Sequence, residues 1–235
     1  FSVNYRDRIA TPASALFSFF VQRSVYAPII NAAPSAATIA AYYASPLFKP
    51  LTPVPASAVT AIVDARTQNL ARQNLDGIDF DLGYRFAFAD AAEIGVSGSY
   101  LLGFSQQITT SAPSFSVVDT VGYPVDLRLR GRATISESGL GAALFVNYVD
   151  GYRNQSSGTV RKVASWTTLD LQLSYRFGES RGALSGLSLS LSATNLLDAD
   201  PPHLAYALGT LTIGYDAENA SPLGRVIGFQ VTKQW

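Results

Sequence analysis

Alternation between apolar and polar residues is the feature that most limits what this chain can fold into. In the segment 168–177 every second residue is apolar: Leu169, Leu171, Leu173, Tyr175 and Phe177. The residues between them are polar or charged: Thr168, Asp170, Gln172, Ser174 and Arg176. Because successive side chains of a β-strand point to opposite faces of a sheet, this pattern predicts a strand with one apolar and one polar face.

The same alternation recurs along the chain and predicts eight strands in all. They are expected at about 1–10, 77–88, 93–104, 124–136, 139–150, 165–177, 186–197 and 224–235. Each predicted strand is about 10 to 13 residues long, whereas strands of globular proteins average about 5–6 residues. A tilted strand needs about 9–11 residues to cross a bilayer, so this length favours transmembrane strands.

The connections between the predicted strands alternate in length. Three are short: Ala89–Ala92, Ser136–Ser138 and Gly178–Ser185. Four are long: Thr11–Asp76, Ser105–Tyr123, Gly151–Ala164 and Asp198–Leu223. Short turns at one end of the strands and long loops at the other are typical of outer-membrane barrels. We therefore predict an all-β fold, a transmembrane antiparallel β-barrel with about eight strands here, and assign residues 1–235 to it.

The long first connection contains the helical signal of the sequence. Pro55 and Ser57, followed by spaced apolar residues, predict a surface helix from about Ala56 to Gln73 with Ser57 as its N-cap. A membrane-spanning helix is not expected, because the best apolar stretch, 13–30, is interrupted by two polar residues and a proline.

Composition and motifs exclude several classes of function. Lys and Arg number 17 and Asp and Glu number 17, so the chain lacks the basic charge of a nucleic-acid-binding protein. The absence of Cys excludes disulfides, thiolate metal sites, a catalytic thiol and an iron–sulfur cluster. No nucleophile elbow, P-loop or dinucleotide fingerprint occurs. The sequence therefore predicts neither an enzyme nor a cofactor-binding protein.

Three arginines mark the polar face of the predicted strand 124–136. Arg128, Arg130 and Arg132 alternate with apolar residues, which places neighbouring ones about 7 Å apart on one face. One interpretation is that Arg128 and Arg130 bind or guide an anionic ligand. The other, which the sequence favours, is a solvated wall on which the arginines pair with acids: Asp79, Asp81 and Asp170.

Aromatic residues in the long connections are the candidates for contact with a ligand. The strongest are Tyr42, Tyr43, Tyr123, Tyr152, Tyr206 and Tyr215, and Tyr26 and Phe115 share the same setting. Aromatic rings on loops suit stacking against sugars or other ring systems. The alternative, that these rings only pack one loop against another, is equally compatible with the sequence.

Two further sets of residues give weak signals. His203 is the single histidine, and one histidine cannot build a histidine-rich metal site or a catalytic triad alone. Four acids in the last long connection are candidate ligands for calcium: Asp198, Asp200, Asp216 and Glu218. Their spacing does not match a dedicated calcium loop, so no metal site is predicted.

The last third of the chain resembles the end of TonB-dependent outer-membrane receptors. The segments that carry the resemblance are TTLDLQLSYRF (Thr167–Phe177), LSLSLSATNLLDADPP (Leu187–Pro202) and YDAENASPLGRVIGFQVTKQW (Tyr215–Trp235). The matching positions are Asp170, Asn195, Leu196, Leu197, Asp198, Pro201, Pro202, Tyr215, Asp216, Asn219, Gly224 and Arg225. Earlier segments are compatible with the same family, among them Tyr5–Ile9, Gly77–Asp79 and Gly122–Pro124.

The resemblance implies a barrel of 22 strands with a plugged lumen, of which this chain would supply about a third. No plug domain and no energy-coupling box is found in the sequence, which also lacks Met, so we expect those parts to lie upstream. The implied function is TonB-dependent import of a scarce nutrient such as a siderophore, cobalamin or an oligosaccharide. The implied location is the outer membrane of a Gram-negative bacterium.

The partners implied by the resemblance are membrane, protein and small-molecule partners, with no nucleic acid among them. They are outer-membrane lipid, a periplasmic energy-coupling protein acting through the plug, the barrel assembly machinery, the upstream remainder of the barrel and an unidentified small-molecule ligand. In the last strand Phe229, Val231 and Trp235 share one face, as in the signal that the assembly machinery reads. Lys233 interrupts that face, and we expect it to snorkel to the membrane edge.

Two alternatives from other classes remain open on the sequence alone. The chain could be a complete small eight-stranded barrel with a structural or adhesive role, since eight strands suffice to close a barrel. It could also be a soluble β-sandwich that serves as a binding module. The sandwich requires Leu169, Leu171 and Leu173 to lie in a core between two sheets, whereas the membrane barrel requires them to face lipid.

Overall fold

The computed structural model describes residues 1–10, 19–20, 23–49, 54–66, 68–107, 113–155, 159–205 and 214–234. Eight long strands dominate it: β1 (Ser2–Ala10), β4 (Gln68–Phe86), β5 (Ala91–Gln107), β7 (Leu127–Glu137), β8 (Leu140–Val149), β11 (Trp166–Arg176), β12 (Leu187–Thr194) and β13 (Val226–Lys233). Five short strands lie in the connections: β2 (Ile30–Asn31), β3 (Ile62–Val63), β6 (Phe115–Ser116), β9 (Tyr152–Asn154) and β10 (Arg161–Val163).

The eight long strands belong to one sheet, which confirms the predicted number and order of strands. Its order is β1-β4-β5-β7-β8-β11-β12-β13, with β6 paired to the end of β5. Neighbouring long strands follow one another along the chain and pair antiparallel wherever their register is defined. β4 and β5 extend further than the alternation predicted, since their loop-side ends continue to residues 68 and 107.

The register aligns like faces from strand to strand. Opposite Leu171 lie Leu144 of β8 and Ala193 of β12, and opposite Leu191 lies Phe229 of β13. On the other face Gln172 lies opposite Ser192. The sheet therefore has one continuous apolar face and one continuous polar face, because paired residues of antiparallel strands point the same way.

The apolar face is exposed in the isolated chain. Leu82 is 64% exposed, Leu102 65% and Phe229 69%, and Leu173 is 37% exposed. A soluble protein rarely leaves so extended an apolar surface in water. The sandwich alternative is wrong on this point, because the long strands lie in one sheet and Leu169, Leu171 and Leu173 are not among the buried core residues.

Tight turns join the strands at one end of the sheet. Between β7 and β8 the turn residues Ser138 and Gly139 both have positive φ, 49° and 88°. Two residues of positive φ form the hairpin turn that matches the twist of antiparallel strands. A Cβ on Gly139 would lie 2.6 Å from the carbonyl oxygen of Arg176, so glycine is also required there by space.

The contacts divide the chain into two compact units, residues 1–3, 75–104 and 117–235 in the first and residues 4–74 and 105–116 in the second. In the second unit Phe19, Tyr26 and Ile29 form a small apolar core. The described residues of this unit include the helices α1 (Arg23–Tyr26) and α2 (Ala36–Ala44). Across the described part of the chain, no helix combines the length and the apolar character needed to cross a bilayer.

The predicted helix at 56–73 is wrong. Ala56–Ala58 is a single 3-10 turn without a side-chain cap, and β4 already begins at Gln68. The longer helix among the described residues of this connection is α2, where the Oγ of Ser35 accepts a hydrogen bond from the backbone N–H of Thr38 at 3.1 Å. Ser35 and the alanines after it are an N-cap followed by the best helix former, a signal present in the sequence but not used.

Candidate functional site

The polar face carries a network of ion pairs centred on Arg132. Its guanidinium donates to Asp81 of β4 at 2.9 Å and to Glu93 of β5 at 2.9 Å. Arg85 also reaches Glu93, at 3.2 Å. Gly95 makes room for this arrangement, because a Cβ there would lie 2.5 Å from Cζ of Arg132. The predicted pairing of this arginine row with acids is thus present at Arg132.

Arg130 turns the other way, toward β8. It donates to Oδ1 of Asn147 at 2.7 Å, and its Cζ lies 4.3 Å from the ring centroid of Phe145, a cation–π geometry. Asn147 in turn donates to Asp170 at 2.8 Å, and Asp170 accepts from the backbone N–H of Asn195 at 3.0 Å. This chain of hydrogen bonds runs across three strands into the loop after β12.

A shallow groove lies on the polar face over β4, β5 and β7. Its volume is about 580 Å³. The polar residues lining it are Asp79, Asp81, Ser97, Ser99, Arg128 and Arg130. It therefore places carboxylates on one wall, hydroxyls on the floor and guanidinium groups on the other wall.

Arg128, at the start of β7, donates hydrogen bonds to the connection that precedes β13. Its Nη2 donates to the carbonyl oxygen of Glu218 at 3.0 Å and to Oδ1 of Asn219 at 2.6 Å. Asn219 is 4% exposed, and its amide donates to the carbonyl oxygen of Tyr123 at 2.9 Å and to Asp216 at 3.0 Å. We call Gly122, Tyr123, Arg128, Asp216 and Asn219 the loop anchor.

Asp216 completes the loop anchor. Asp216 is 3% exposed, and its carboxylate accepts from the backbone N–H of Gly122 at 3.0 Å and of Glu218 at 3.1 Å. Since a buried carboxylate is costly unless it is hydrogen-bonded, these bonds stabilise the loop in one conformation. Asp216 and Asn219, two of the positions that carry the family resemblance, thus hold this loop in place.

The turn after β12 positions the beginning of β13. Asn195 and Asp198 both adopt positive φ, 51° and 58°, a conformation that asparagine and aspartate tolerate better than most residues. Oδ1 of Asp198 accepts the backbone N–H of Arg225 at 2.7 Å. A Cβ on Gly224 would lie 2.6 Å from that same oxygen, so the glycine before Arg225 allows the close approach.

The long connections of the first unit share a small core of their own. Val125, Tyr152, Val163 and Leu204 are each at most 4% exposed and pack together. They come from three different connections, and Thr120 adds a parallel bridge to Arg153. These loops are therefore packed against one another at one end of the sheet, and Tyr152 is the one predicted aromatic residue among the four that form this core.

Burial and charge change the acidity of two groups in these loops. Burial raises the pKa of the Tyr123 phenol. Burial also raises the pKa of Asp126, and the nearby carboxylates of Asp119 and Asp150 add to the effect. Oδ1 of Asp126 is buried and has no hydrogen-bond partner among the described residues, so ionisation of this group is disfavoured by its surroundings.

The predicted aromatic contacts fall in different settings. Tyr42 is 50% exposed and Tyr43 38%, with the Tyr43 ring 5.0 Å from that of Phe48. Tyr123 and Tyr215 are partly buried. Tyr152 is 3% exposed and belongs to the loop core, which leaves little of its ring for a ligand. Tyr206 lies outside the described residues.

In the last strand the two described members of the predicted assembly signal lie on the apolar face. Phe229 is 69% exposed and Val231 55%, whereas Trp235 lies outside the described residues. Lys233 bends toward the turn before β12, where its ammonium donates to the carbonyl oxygens of Ala183 and Ser185. The charged end of Lys233 thus lies at the end of the sheet and is hydrogen-bonded there, as the predicted snorkelling requires.

Some residues of the site were not predicted as such. Asn147 links Arg130 to Asp170, and Asn219 links Arg128 to Asp216, yet neither was singled out as a binding residue. The signal for Asn147 was a polar residue on the same face as Arg130, within reach across the neighbouring strand. His203 is exposed, and within the described ranges no group of three or more acidic or histidine side chains is placed to hold a metal ion.

These features define a class of protein: a transmembrane β-barrel of antiparallel strands, with an apolar outer face and a polar, hydrogen-bonded inner face. A family model described as "TonB dependent receptor-like, beta-barrel" matches residues 25–196. The chain belongs to this family, whose members are receptors and transporters in the outer membrane and not enzymes.

Other comparisons add little beyond the family. No curated protein matches the chain. A mutant of the ferric enterobactin receptor from Pseudomonas aeruginosa is similar in structure, with 16% sequence identity and a TM-score of 0.44. The match covers 72% of this chain and 23% of that receptor, so the chain spans about a quarter of the receptor's length.

Proposed function

We propose that the chain forms part of the barrel wall and the outer loops of an energy-coupled importer. The importer takes up a scarce nutrient, such as a siderophore, cobalamin or an oligosaccharide, across the outer membrane of a Gram-negative bacterium. The chain contributes wall and loop contacts, and the energy arrives through a plug encoded outside this sequence.

The observation that carries the proposal is the two-faced sheet. Apolar side chains line up across strands β5 to β13 on one face, and the other face holds the Asp81–Arg132–Glu93 ion pairs. Charged side chains on a lipid-exposed face would cost about 2–4 kcal/mol each near the bilayer centre. The polar face therefore suits a water-filled interior, and the apolar face suits hydrocarbon.

The packed loops support binding at one end of this wall. The loop core and the loop anchor hold three connections in a fixed arrangement, which lowers the entropy that a ligand must remove on binding. Partly exposed rings of Tyr123 and Tyr215 lie in these loops, next to backbone groups that the anchor holds in place. Such a surface can stack against rings and donate hydrogen bonds to a polar nutrient.

The proposed partners follow from the same reasoning. Lipid covers the apolar face, the barrel assembly machinery inserts the strands, and the upstream remainder of the barrel pairs with the ends of the sheet. A periplasmic energy-coupling protein acts through the plug. A small-molecule nutrient is the transported ligand, whose identity the test below determines.

The test is nutrient-limited growth of cells that carry the full-length gene. Strains with the gene intact or deleted are grown with one of several iron chelates, cobalamin or oligosaccharides as the limiting nutrient. The same set is repeated without the energy-coupling protein. Import predicts that one nutrient supports growth only when both genes are present, together with heat-modifiable migration of the folded protein on gels.

Other outcomes distinguish the remaining alternative. A full-length gene without a plug-encoding segment, or growth that ignores the energy-coupling protein, contradicts active import. A heat-modifiable protein with either result is instead the small structural or adhesive barrel. A chain that stays dissolved without detergent contradicts both the importer and the small membrane barrel.

A further inference from the structure

The connection between β8 and β11 carries an unbalanced positive charge. The segment Gly151–Ala164 contains three cations, Arg153, Arg161 and Lys162, and no acid, although the whole chain has as many acids as cations. All three side chains are exposed. Within the described ranges none of them forms an ion pair or a side-chain hydrogen bond. The connection therefore presents unpaired cations to solvent.

Two of these cations lie directly opposite each other. In the antiparallel ribbon formed by β9 and β10, Lys162 is paired with Arg153. Directly opposite residues have Cβ atoms about 4.5–5.5 Å apart, and like charges at such positions destabilise the pairing of the strands. We call Arg153 and Lys162 the cation pair. A bound anion would remove the repulsion within it.

The ribbon holds the cation pair in a fixed place. Tyr152 and Val163 are buried in the loop core, so their neighbours in the cation pair point away from that core. The side-chain amide of Asn154 donates to the carbonyl oxygen of Ala205 at 2.7 Å. Because the backbone is fastened in this way, the two charges cannot separate by a shift of the strands, and a ligand finds them already positioned.

The acids at the base of the ribbon do not neutralise the cation pair. A carboxylate oxygen of Asp119 accepts the backbone N–H of Asp126 at 2.7 Å. A carboxylate oxygen of Asp150 accepts the hydroxyl of Tyr148 at 2.8 Å. Among the described residues neither acid forms an ion pair with Arg153 or Lys162. The acids are thus bonded to other donors, and the cations remain available to a ligand.

The cation pair continues the polar side of the sheet beyond the barrel wall. Val149 is opposite Trp166 at the ends of β8 and β11, and Tyr152 is opposite Val163 in the ribbon. Equal numbers of residues lie between these two pairs on both strands, so the register is unbroken. Alternation then places the cation pair on the same side as Asn147 of the polar face. It faces water, on the side away from lipid, and lies beyond the ends of the long strands.

We propose that the cation pair, with Arg161 beside it, binds a solute that carries a dianionic oxyanion such as a phosphate monoester. The guanidinium of Arg153 can donate two parallel hydrogen bonds to two of the oxygens, and the ammonium of Lys162 adds a point charge at a third. The inference rests on the proposed function and deepens it, since it makes the imported nutrient an anion. A lipid headgroup offers the same phosphate chemistry, but lipid lies against the opposite side of the sheet.

The test is calorimetric titration of the full-length protein in micelles of an uncharged detergent, at low ionic strength and about pH 8, where a phosphate monoester is a dianion. The probes are glucose 6-phosphate, glucose 6-sulfate and glucose, which share one body and differ in charge. Affinity should fall in that order. Added salt should weaken the binding of glucose 6-phosphate, because the contacts are exposed charges.

Substitutions at the cation pair should affect the phosphate probe alone. Arg153→Gln and Lys162→Gln should each weaken glucose 6-phosphate about three- to tenfold and leave glucose unchanged. Lys162→Arg keeps the charge and should keep most of the affinity. The matched control is Lys49→Gln, which removes an exposed cation from another connection and should have no effect.

Two further measurements separate binding from structure and solute from lipid. Heat-modifiable migration verifies that each variant folds, and hydrogen exchange in β9 should not speed up in Lys162→Gln, because that change removes a repulsion. In nanodiscs at physiological salt, where charges are screened beyond about 8 Å, glucose 6-phosphate should bind equally well in phosphatidylcholine and in its mixture with phosphatidylglycerol.

Three results overturn the inference. One is that the wild-type protein binds glucose 6-phosphate no more tightly than glucose. Another is that Lys49→Gln weakens binding as much as Lys162→Gln, which would assign the effect to overall charge. The third is that phosphatidylglycerol abolishes the binding, which would make a lipid headgroup the occupant. Loss of energy-dependent import with the titration pattern intact would contradict the proposed function only, whereas import without that pattern would contradict the anion site only.

Discussion

Nη2 of Arg128 donates to Oδ1 of Asn219 at 2.6 Å, although 91 positions of sequence separate the two residues. Arg128 belongs to the polar face of β7, and Asn219 is buried in the connection before β13. The bond therefore joins the wall to the loops. Because Asn219 also donates to the carbonyl oxygen of Tyr123 and to Asp216, a single amide holds the connections before β7 and before β13 together.

Replacement of this amide should loosen the loops without unfolding the sheet. Asn219→Ala leaves the carboxylate of Asp216 and the guanidinium of Arg128 each short of a partner, at a local cost of about 1–3 kcal/mol. Hydrogen exchange should speed up in 117–126 and 214–225 and stay unchanged in β8 and β11. The control Asn31→Ala removes an exposed asparagine and should alter neither region; uniform acceleration across all strands would contradict a local role.

The direction of the two faces is tested by a pair of neighbouring substitutions in β11. Leu171→Arg places a charge on the apolar face and should cost about 2–4 kcal/mol if that residue lies near the bilayer centre. Gln172→Arg places the same charge on the polar face and should be tolerated. The measurement is the heat-modifiable folded fraction after refolding into lipid vesicles, and equal losses for both variants would mean that the faces are assigned wrongly.

Alanine substitutions at two glycines of β5 test whether the ion pairs of Arg132 need the space above Gly95. Gly95→Ala puts a Cβ 2.5 Å from Cζ of Arg132, so the guanidinium must leave Asp81, at a cost of about 1 kcal/mol. Gly103→Ala meets nothing within 4 Å and should be neutral or slightly stabilising. Urea unfolding in detergent micelles measures the difference, which should shrink at high salt because the lost contact is an ion pair.

A pH dependence is expected from Asp126. Burial, with the nearby carboxylates of Asp119 and Asp150, raises the pKa of Asp126 in the folded protein above its usual value, so its ionisation opposes folding, to the full extent once the pH exceeds that raised pKa. Asp126→Asn should therefore stabilise the protein at neutral pH. The advantage should fade as the pH falls through the raised pKa toward the usual pKa of an aspartate, where the wild-type carboxyl is also neutral.

The control for this prediction is Asp200→Asn, at an exposed position of the last long connection. Thermal unfolding of both variants is compared with wild type between neutral pH and pH 4. A stabilisation by Asp126→Asn that stays constant over this range would assign the effect to packing and not to charge.

The order of the strands and the facing of their side chains could be predicted from the sequence, because the alternation of apolar and polar residues is a local property of each segment. Alternation along each segment fixes which residues share a face, and the lengths of the connections indicate which strands are neighbours. Residues such as Leu171 and Gln172 were therefore assigned to opposite faces correctly. The helix at 56–73 failed for the converse reason, since residues 68–73 gain their hydrogen bonds from strand pairing, which is not local.

The chemistry of the polar face depended on the tertiary structure. All three arginines of β7 look alike in sequence, yet Arg132 binds Asp81 and Glu93, Arg130 binds Asn147, and Arg128 binds the loop before β13. What separates them is the residue opposite each one on a neighbouring strand, glycine in one case and serine in another. The sequence alone determined that each strand has a polar face and an apolar face. The register between strands decided which charged side chains are paired and where a groove is left open. The reason is that the distances between side chains of different strands are set only when those strands lie side by side.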